Sequence, residues 1–505
     1  MAPLNAIVNI LRTLVVALIG VLLVPYYLDT LGLAAYGIIP LATTMTAYVM
    51  IISDSLGSAC SRYATLAIDR GEDANKAIST GFFGIVKLSL ILLPFMLAIS
   101  FLAPYVFSMP ENMWTEVQEM FLLIMVSSLI VTVSSALMCV FNAYNTLYEL
   151  YIARIVYTVV QVAIIVVMFT VYEPSLVDIG IAYLLSSVVL LVMTYALAKH
   201  RHSEMRIRLS DYDKALFKKM GTLGEWTVFI KIGNMLYIQA SLVIVNIYVG
   251  SNAGGEFAII SSLISMIHTA CYSVTTSIAP YVYHFYAEED KTHLIDMFKI
   301  TLKFISLLFA MPVAFVMIFA PEIMTAWVGG TYDYLGELVF IALICDVAFC
   351  ASVVLAEVPT VYLKVKSQVK YTLFFGIANI VAGVAVALFT DYGVKGVTTV
   401  WMISTLAYVI ACVLFCERVT GVRPLTYLKR IGFGYVAMAA CLIVLYFVSE
   451  YVDVPGRWIP LLILFGIMFM LYVPLMLKTF KSHERQMISR VLPSFMSRAL
   501  ARFLK

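Results

Sequence analysis

The sequence predicts an all-α polytopic membrane protein with about fourteen transmembrane helices, on three observations. Of its 505 residues 62% are hydrophobic and only 12% charged, against roughly 45–50% and about 25% in an ordinary soluble domain. The apolar surplus is spread over the whole length, in runs near the roughly 20 residues that cross a bilayer as a helix. The charged minority is sorted by which end of each run it follows, as the excess of Lys and Arg in cytoplasmic loops requires. A net charge of +3 from 33 basic and 30 acidic residues gives no reason to expect nucleic acid as a partner.

In chain order the runs fall at 4–27, 36–60, 78–107, 117–141, 152–172, 179–198, 223–249, 257–282, 300–320, 337–361, 370–390, 396–416, 431–449 and 459–477. Each is bounded by charged or Gly/Pro-containing breaks. Leu31-Gly32 separates the first two, and Glu173-Pro174 closes the fifth. Lys199 to Arg201 closes the sixth, Gly250 follows the seventh, and Pro321 ends the ninth. The loops after even-numbered runs, together with the tail from 478, hold 27 of the 33 basic residues. Loops after odd-numbered runs hold only Lys395 and Arg457. That asymmetry predicts a multi-pass protein of the cell (inner, cytoplasmic) membrane with both termini in the cytoplasm.

The first run has no cationic leader ahead of it and reads as a helix rather than a cleavable signal. The eight cysteines lie within or at the edge of apolar runs and read as small core residues, neither disulfides nor a metal site. There is no P-loop, nucleophile motif or pair of loop carboxylates, so neither catalysis nor a resident cofactor is expected. The tail 478–505 spaces Met487, Ile488, Val491, Leu492, Phe495 and Met496 among cations, the pattern of an interfacial helix on anionic lipid.

Weak echoes recur at an offset near 217 residues. Pro94 answers to Pro312, Ala103-Pro104 to Ala320-Pro321, Tyr36-Gly37-Ile38-Ile39 to Phe257-Ala258-Ile259-Ile260, and Gly180 to Gly396. Equivalent loops lie on the same side, so the repeat is a parallel one. The expected organisation is an N-terminal lobe over 1–198, a basic cytoplasmic linker over 199–222, and a C-terminal lobe over 223–416. Two further helices over 431–477 and the basic tail complete it.

Four cations sit inside runs: Arg12, Lys87, Lys231 and Lys303. A charge at mid-membrane costs about 2.5–3.5 kcal/mol on insertion scales and faces a cavity or a partner. The repeat pairs Arg12 with Lys231 and Lys87 with Lys303. Lys303 is the shallowest and is expected to snorkel, which leaves Arg12, Lys87 and Lys231 as the candidate substrate-binding cations. Asn5, Asn9 and Arg12 share one helical face, as do Thr227, Lys231, Asn234 and Ser241, while Ser261, Ser265 and His268 begin a further polar stripe. Such faces line a cavity or bond helices together. Asp346, with Glu357 three turns on, is a candidate for coupling to a proton or sodium gradient. Asp54, Gln239 and Asn379 read as structural.

Several strings then resemble a family. Leu31-Gly32-Leu33-Ala34-Ala35-Tyr36-Gly37, followed by Asp54-Ser55-Leu56-Gly57 and Arg62, looks like the opening of Wzx-type polysaccharide flippases. These form the polysaccharide transporter branch of the multidrug/oligosaccharidyl-lipid/polysaccharide (MOP) exporter superfamily. Phe319-Ala320-Pro321-Glu322-Ile323-Met324 leading to Trp327-Val328-Gly329 and Tyr332 resembles the family's break between spans 9 and 10. So does Asn379 followed by Asp391-Tyr392-Gly393-Val394-Lys395-Gly396. The resemblance runs in order over residues 5–416. It implies two six-helix lobes around a cavity that opens alternately to each side. It also implies transfer of a polyprenyl-pyrophosphate-linked oligosaccharide repeat unit to the outer leaflet for O-antigen, capsule or exopolysaccharide synthesis, alongside membrane lipids and polysaccharide polymerase machinery as partners. A pyrophosphate fits the cations, since Arg binds phosphate oxygens bidentately. Relatives often carry an acid near the outer end of span 7, where this chain has Gln239-Ala240.

Three rivals remain. A multidrug exporter of the same superfamily would need cavity acids, and span 1 carries Arg12 instead. A lipid II flippase shares the fourteen spans and a cationic cavity. A membrane glycosyltransferase or polymerase would need catalytic acids or bases and a long external loop.

Overall fold

The computed structural model describes residues 2–201, 205–287, 291–362, 364–452 and 454–485. The described residues form α-helices and no strands. In order these are α1 (Ala2–Leu31), α2 (Leu33–Asp69), α3 (Asn75–Val106), α4 (Trp114–Ala136), α5 (Met138–Ala143), α6 (Leu147–Val171), α7 (Leu176–Arg201), α8 (Lys214–Ile238), α9 (Ala240–Tyr248) and α10 (Ser251–Ala287). They continue as α11 (Lys291–Ile318), α12 (Ala320–Val328), α13 (Leu335–Leu343), α14 (Asp346–Leu355), α15 (Val358–Val361), α16 (Val365–Phe389), α17 (Gly393–Thr420), α18 (Pro424–Tyr451) and α19 (Trp458–Lys478). Among the described residues twelve helices are long and apolar enough to cross a membrane, or up to fourteen when each of two bent pairs counts as a span. This is the polytopic all-helical class that the composition predicts, and every expected run coincides with helix.

In a bilayer every backbone polar group must be satisfied within the chain, and so the spans are helical. Their breaks have local causes. Gly32 separates α1 from α2 at φ +83° and Gly421 follows α17 at φ +73°, a left-handed backbone that a Cβ would strain. Pro25, Pro40, Pro94, Pro104, Pro312 and Pro474 lie inside helices, each removing one ladder hydrogen bond. The echo between Ala103-Pro104 and Ala320-Pro321 is only partial, because the first pair stays inside α3 while the second opens α12 after a break at Phe319.

The chain packs as two compact units, Met1–Ala258 and Ile259–Lys505. In the first, α4 is the inner helix, packed on α3, α7 and α2. Its most apolar stretch is 61% buried, against 11% for α1 at the margin. Helix α8 packs on α2, and α1 on α6. Gly37 and Gly255 let α2 and the start of α10 meet backbone to backbone, since a Cβ on Gly37 would lie 2.6 Å from the Gly255 nitrogen. In the second unit α11 is the inner helix, 83% buried over its apolar stretch, and packs on α18 and α14. Gly434 lets α18 cross it closely, because a methyl there would fall 2.6 Å from Ser306 Cβ.

The described part of the segment joining α7 to α8, residues 205–213, is docked on α3. Arg206 N donates to Asn75 Oδ1 at 2.7 Å, Arg208 N to Ser79 Oγ at 3.2 Å, and Asp213 N to Thr80 Oγ1 at 3.1 Å. Asp213 caps α8 by accepting from Ala215 N and Leu216 N, and Lys76 Nζ lies 2.8 Å from its carboxylate. The Lys76 hydrogen bond first, then those two backbone amides, hold the Asp213 carboxyl down to about 2.

Candidate functional site

The first unit brings four of its helices together around one acid. Asp54, in the middle of α2, places Oδ2 3.7 Å from Lys231 Nζ on α8, with both side chains partly exposed at 51% and 39%. A pair so open to its surroundings contributes little to stability and exchanges partners readily, about 0–1 kcal/mol. Arg154 on α6 lies within electrostatic range of both Asp54 and Arg12. Arg12, on α1, stacks its guanidinium over Tyr151 with Cζ 5.4 Å from the ring centroid, a cation–π contact. Tyr151 and Arg154 are one turn apart on α6 and thus on one face. Asp54 is thus paired with Lys231 and lies within range of Arg154, which in turn neighbours Arg12.

Two atoms beside the cluster are buried without a hydrogen-bond partner among the described residues, Arg12 Nε and Asn9 Oδ1. Buried polar groups are nearly always bonded, and exceptions concentrate where a site does its work. The remaining polar candidates of this unit have other surroundings. Asn5 is engaged structurally, its Nδ2 donating to Asn145 Oδ1 at 2.8 Å while its Oδ1 accepts from Tyr148 N at 2.8 Å. It fixes the turn into α6, the helix that carries Tyr151 and Arg154. Asn234 follows Lys231 by three residues and is half-buried, whereas Ser241 is buried in α9 beyond the 43° bend at Gln239. The side chain of Thr227 lies outside the described residues.

Lys87 is not brought to this cluster. It is exposed on α3 and shares its face with exposed Leu90, Ile91 and Phe95. Its helix has 32 residues, more than the roughly 20 that span the hydrocarbon.

In the second unit the polar stripe meets the acid of α14. His268 Nε2 and Asp346 Oδ1 are 2.6 Å apart, with side chains only 10% and 4% exposed. The imidazole lies against Phe349 at 4.2 Å between centroids. Cys350 Sγ points at Asp346 Oδ2 from 3.8 Å. Ser265 is exposed and Ser261 half-buried on the same helix. Glu357 does not share a face with Asp346, because α14 ends at Leu355 and the register is lost at the turn before α15. All eight cysteines are free, and among the described residues no group of three His, Cys, Asp or Glu is placed to hold a metal ion.

Lys303 does not snorkel. It is 3% exposed, and Nζ donates to the Thr479 carbonyl at 2.7 Å and to Glu484 Oε2 at 3.4 Å. The segment after α19 folds over it, so its charge is matched inside the protein. Of the basic tail, residues 486–505, with Met487, Ile488, Val491, Leu492, Phe495 and Met496, lie outside the described residues.

Arg154 and Asp54 are the site residues that run-reading misses. Arg154 counts with the loop before span 5 although it falls just inside the run at 152–172, and α6 already begins at Leu147. Asp54 lies near the end of the apolar run, yet α2 continues to Asp69. The spacing of Tyr151 and Arg154 at i, i+3 is the available signal.

Comparison with known proteins agrees with the fold. Residues 4–285 match the family model described as polysaccharide biosynthesis protein. The chain is 25% identical over 430 residues, 85% of each chain, to the uncharacterized membrane protein EpsK of Bacillus subtilis (strain 168). Among solved structures it superposes on the lipid II flippase MurJ in an inward closed conformation with a TM-score of 0.68 at 13% identity, covering 94% of this chain and 99% of that one. It also superposes on an inward-facing multidrug resistance MATE family transporter of the MOP superfamily, with a TM-score of 0.68 at 15% identity over 86% and 98%.

Proposed function

Because the chain belongs to the polysaccharide biosynthesis protein family and has the fold of transporters rather than of enzymes, we propose that it is a flippase for a polyprenyl-pyrophosphate-linked oligosaccharide. It carries the repeat unit of a surface polysaccharide from the cytoplasmic to the outer leaflet by alternating access. The observation that carries this reading is the excess of cations in the first unit, Arg12, Arg154 and Lys231 against Asp54. A pyrophosphate crossing the bilayer needs fixed positive charge along its route, and guanidinium groups match phosphate oxygens in a two-pronged geometry.

In this mechanism Asp54 holds Lys231 while no substrate is bound. The pyrophosphate then displaces the carboxylate, binding Lys231, Arg12 and Arg154 together. Repulsion between the displaced Asp54 and the substrate limits how tightly it is held, and so allows release. The half-buried polar groups Asn9 and Asn234 offer hydrogen bonds beside the cations. The same excess of cations argues against an organic-cation exporter, whereas a lipid II flippase would use equivalent chemistry on a different glycan.

The His268–Asp346 pair supplies a protonation site for coupling to a proton gradient. Its imidazole and carboxylate are buried and 2.6 Å apart within the membrane-spanning helices, where paired ionisable groups mark proton routes. The sorting of Lys and Arg supports cytoplasmic termini in the cell membrane, and in this reading a polysaccharide polymerase would consume the exported unit. The two-lobe division at the 199–222 linker belongs to this same reading.

The test is export of surface glycan by Arg12→Ala/Lys231→Ala. Loss of export with the protein still inserted, and lipid-linked oligosaccharide accumulating on the cytoplasmic leaflet, is the expected result. Full export by the double variant would overturn the proposal.

A further inference from the structure

The functional reading leaves one charged cavity unused. It lies in the second unit, beside the middle of α11 where α18 begins and α19 ends, and has a volume of about 410 Å³, within the range of small-ligand pockets. Its lining carries four cations, Lys303, Lys429, Arg430 and Lys481, against one acid, Glu484. Glu484 is already committed. Oε1 accepts from Arg430 Nη1 at 2.8 Å, while Oε2 accepts from Lys481 N at 3.0 Å and from Lys303 Nζ at 3.4 Å. One carboxylate thus answers Lys303 and Arg430, while the Lys429 and Lys481 side chains add two further cations to the lining. Lys429 and Lys481 are exposed.

The charge also has a neighbour of opposite character. Along α18, Leu425, Lys429, Phe433 and Val436 follow at intervals of four, four and three residues and so lie on one face. Leu425, Phe433 and Val436 are 59%, 45% and 72% exposed. An apolar track therefore leads directly away from a cationic cavity. Phosphate alone has no use for that track, whereas a lipid with a phosphate headgroup uses both.

We propose that this cavity binds the phosphate headgroup of an anionic membrane phospholipid, whose acyl chains lie along Phe433 and Val436. Basic pockets between spanning helices bind such headgroups through charge-assisted hydrogen bonds. The site is separate from the Asp54 cluster and does not depend on the transported substrate.

The experiment uses the full chain in neutral detergent and follows its thermal midpoint in three titrations at constant ionic strength. These are short-chain phosphatidylglycerol, phosphatidylcholine of the same acyl length, and inorganic phosphate. Phosphatidylglycerol is expected to raise the midpoint saturably and the other two not to. Lys429→Gln/Lys481→Gln, which leaves every bond to Glu484 in place, should weaken that binding about thirtyfold, and Lys429→Gln alone about fivefold. Lys429→Arg/Lys481→Arg should retain it, as should a control in the other unit, Lys218→Gln/Lys219→Gln. Equal stabilisation by phosphatidylcholine, or by inorganic phosphate, overturns the lipid assignment. Unchanged phosphatidylglycerol binding by both glutamine variants overturns the site.

Discussion

Lys231 Nζ lies 3.7 Å from Asp54 Oδ2, and the two come from helices far apart in sequence, α8 and α2. The pair is partly exposed, so Asp54→Asn should change the free energy of unfolding by less than about 1 kcal/mol. Its effect on transport should be larger. With the competing carboxylate gone, the lipid-linked substrate should bind more tightly, while export slows by about tenfold because release is impeded. Binding to purified protein and glycan export in cells, measured side by side, check both directions.

Arg12 and Lys87 should separate sharply. Arg12→Lys keeps the charge but loses the planar fork over Tyr151, and is expected to retain partial export, above Arg12→Ala and below the parent. Lys87→Ala, on an exposed apolar face of α3, should leave export within about twofold. Equal loss in Lys87→Ala and Arg12→Ala would refute the placement of the site.

Removing one partner of the His268–Asp346 pair leaves the other buried. Asp346→Ala should therefore destabilise by about 2 kcal/mol or more, whereas Asp346→Asn keeps a hydrogen bond to the ring and should cost less. Both should remove the dependence of export on the proton gradient. A gradient dependence that survives Asp346→Asn rules out coupling through this pair.

The Glu484 latch has its own pH signature. Burial pushes its carboxyl up, but the Lys481 amide, the Arg430 hydrogen bond and the charges of Lys303 and Arg430 outweigh burial and hold it below its ordinary value of 4.5. A carboxyl lowered in the folded state contributes stability that is full above its unfolded value and is lost as pH falls through the folded one. Below about pH 4.5 the midpoint should therefore drop, and Glu484→Gln should flatten that part of the profile while lowering the midpoint at neutral pH. A thermal scan across pH 3 to 7 measures both.

The fold was largely legible because hydropathy reports what a bilayer demands, and all the expected runs are helical. Charge placement was legible only where it depended on depth alone. Arg12 and Lys231 stand out as cations within apolar runs, and both join the cluster. Lys87 stands out equally and does not, because helix α3 is longer than its apolar run and nothing in a run says which face a neighbour covers. Arg154 reads as a loop residue because it sits two residues inside the start of its run, whereas α6 begins at Leu147 and carries it within the helix. The partner of Lys303 was out of reach because Glu484 is 181 residues away in sequence. Glu357 fails for a local reason, since projecting a face across eleven residues assumes an unbroken helix and this one breaks after Leu355.

The bonds that tie Arg206, Arg208 and Asp213 to the first turns of α3 hold the described part of the α7–α8 connection, residues 205–213, against that helix. A slack tether would let α8 tilt on its own. Here, any tilt that swings Lys231 away from Asp54 must either carry the head of α3 with it or break those hydrogen bonds and the Lys76 ion pair. The connection therefore acts as a crank between two helices, and a flexible insertion between Met205 and Asp213 would uncouple their strokes while leaving the charged cluster itself intact.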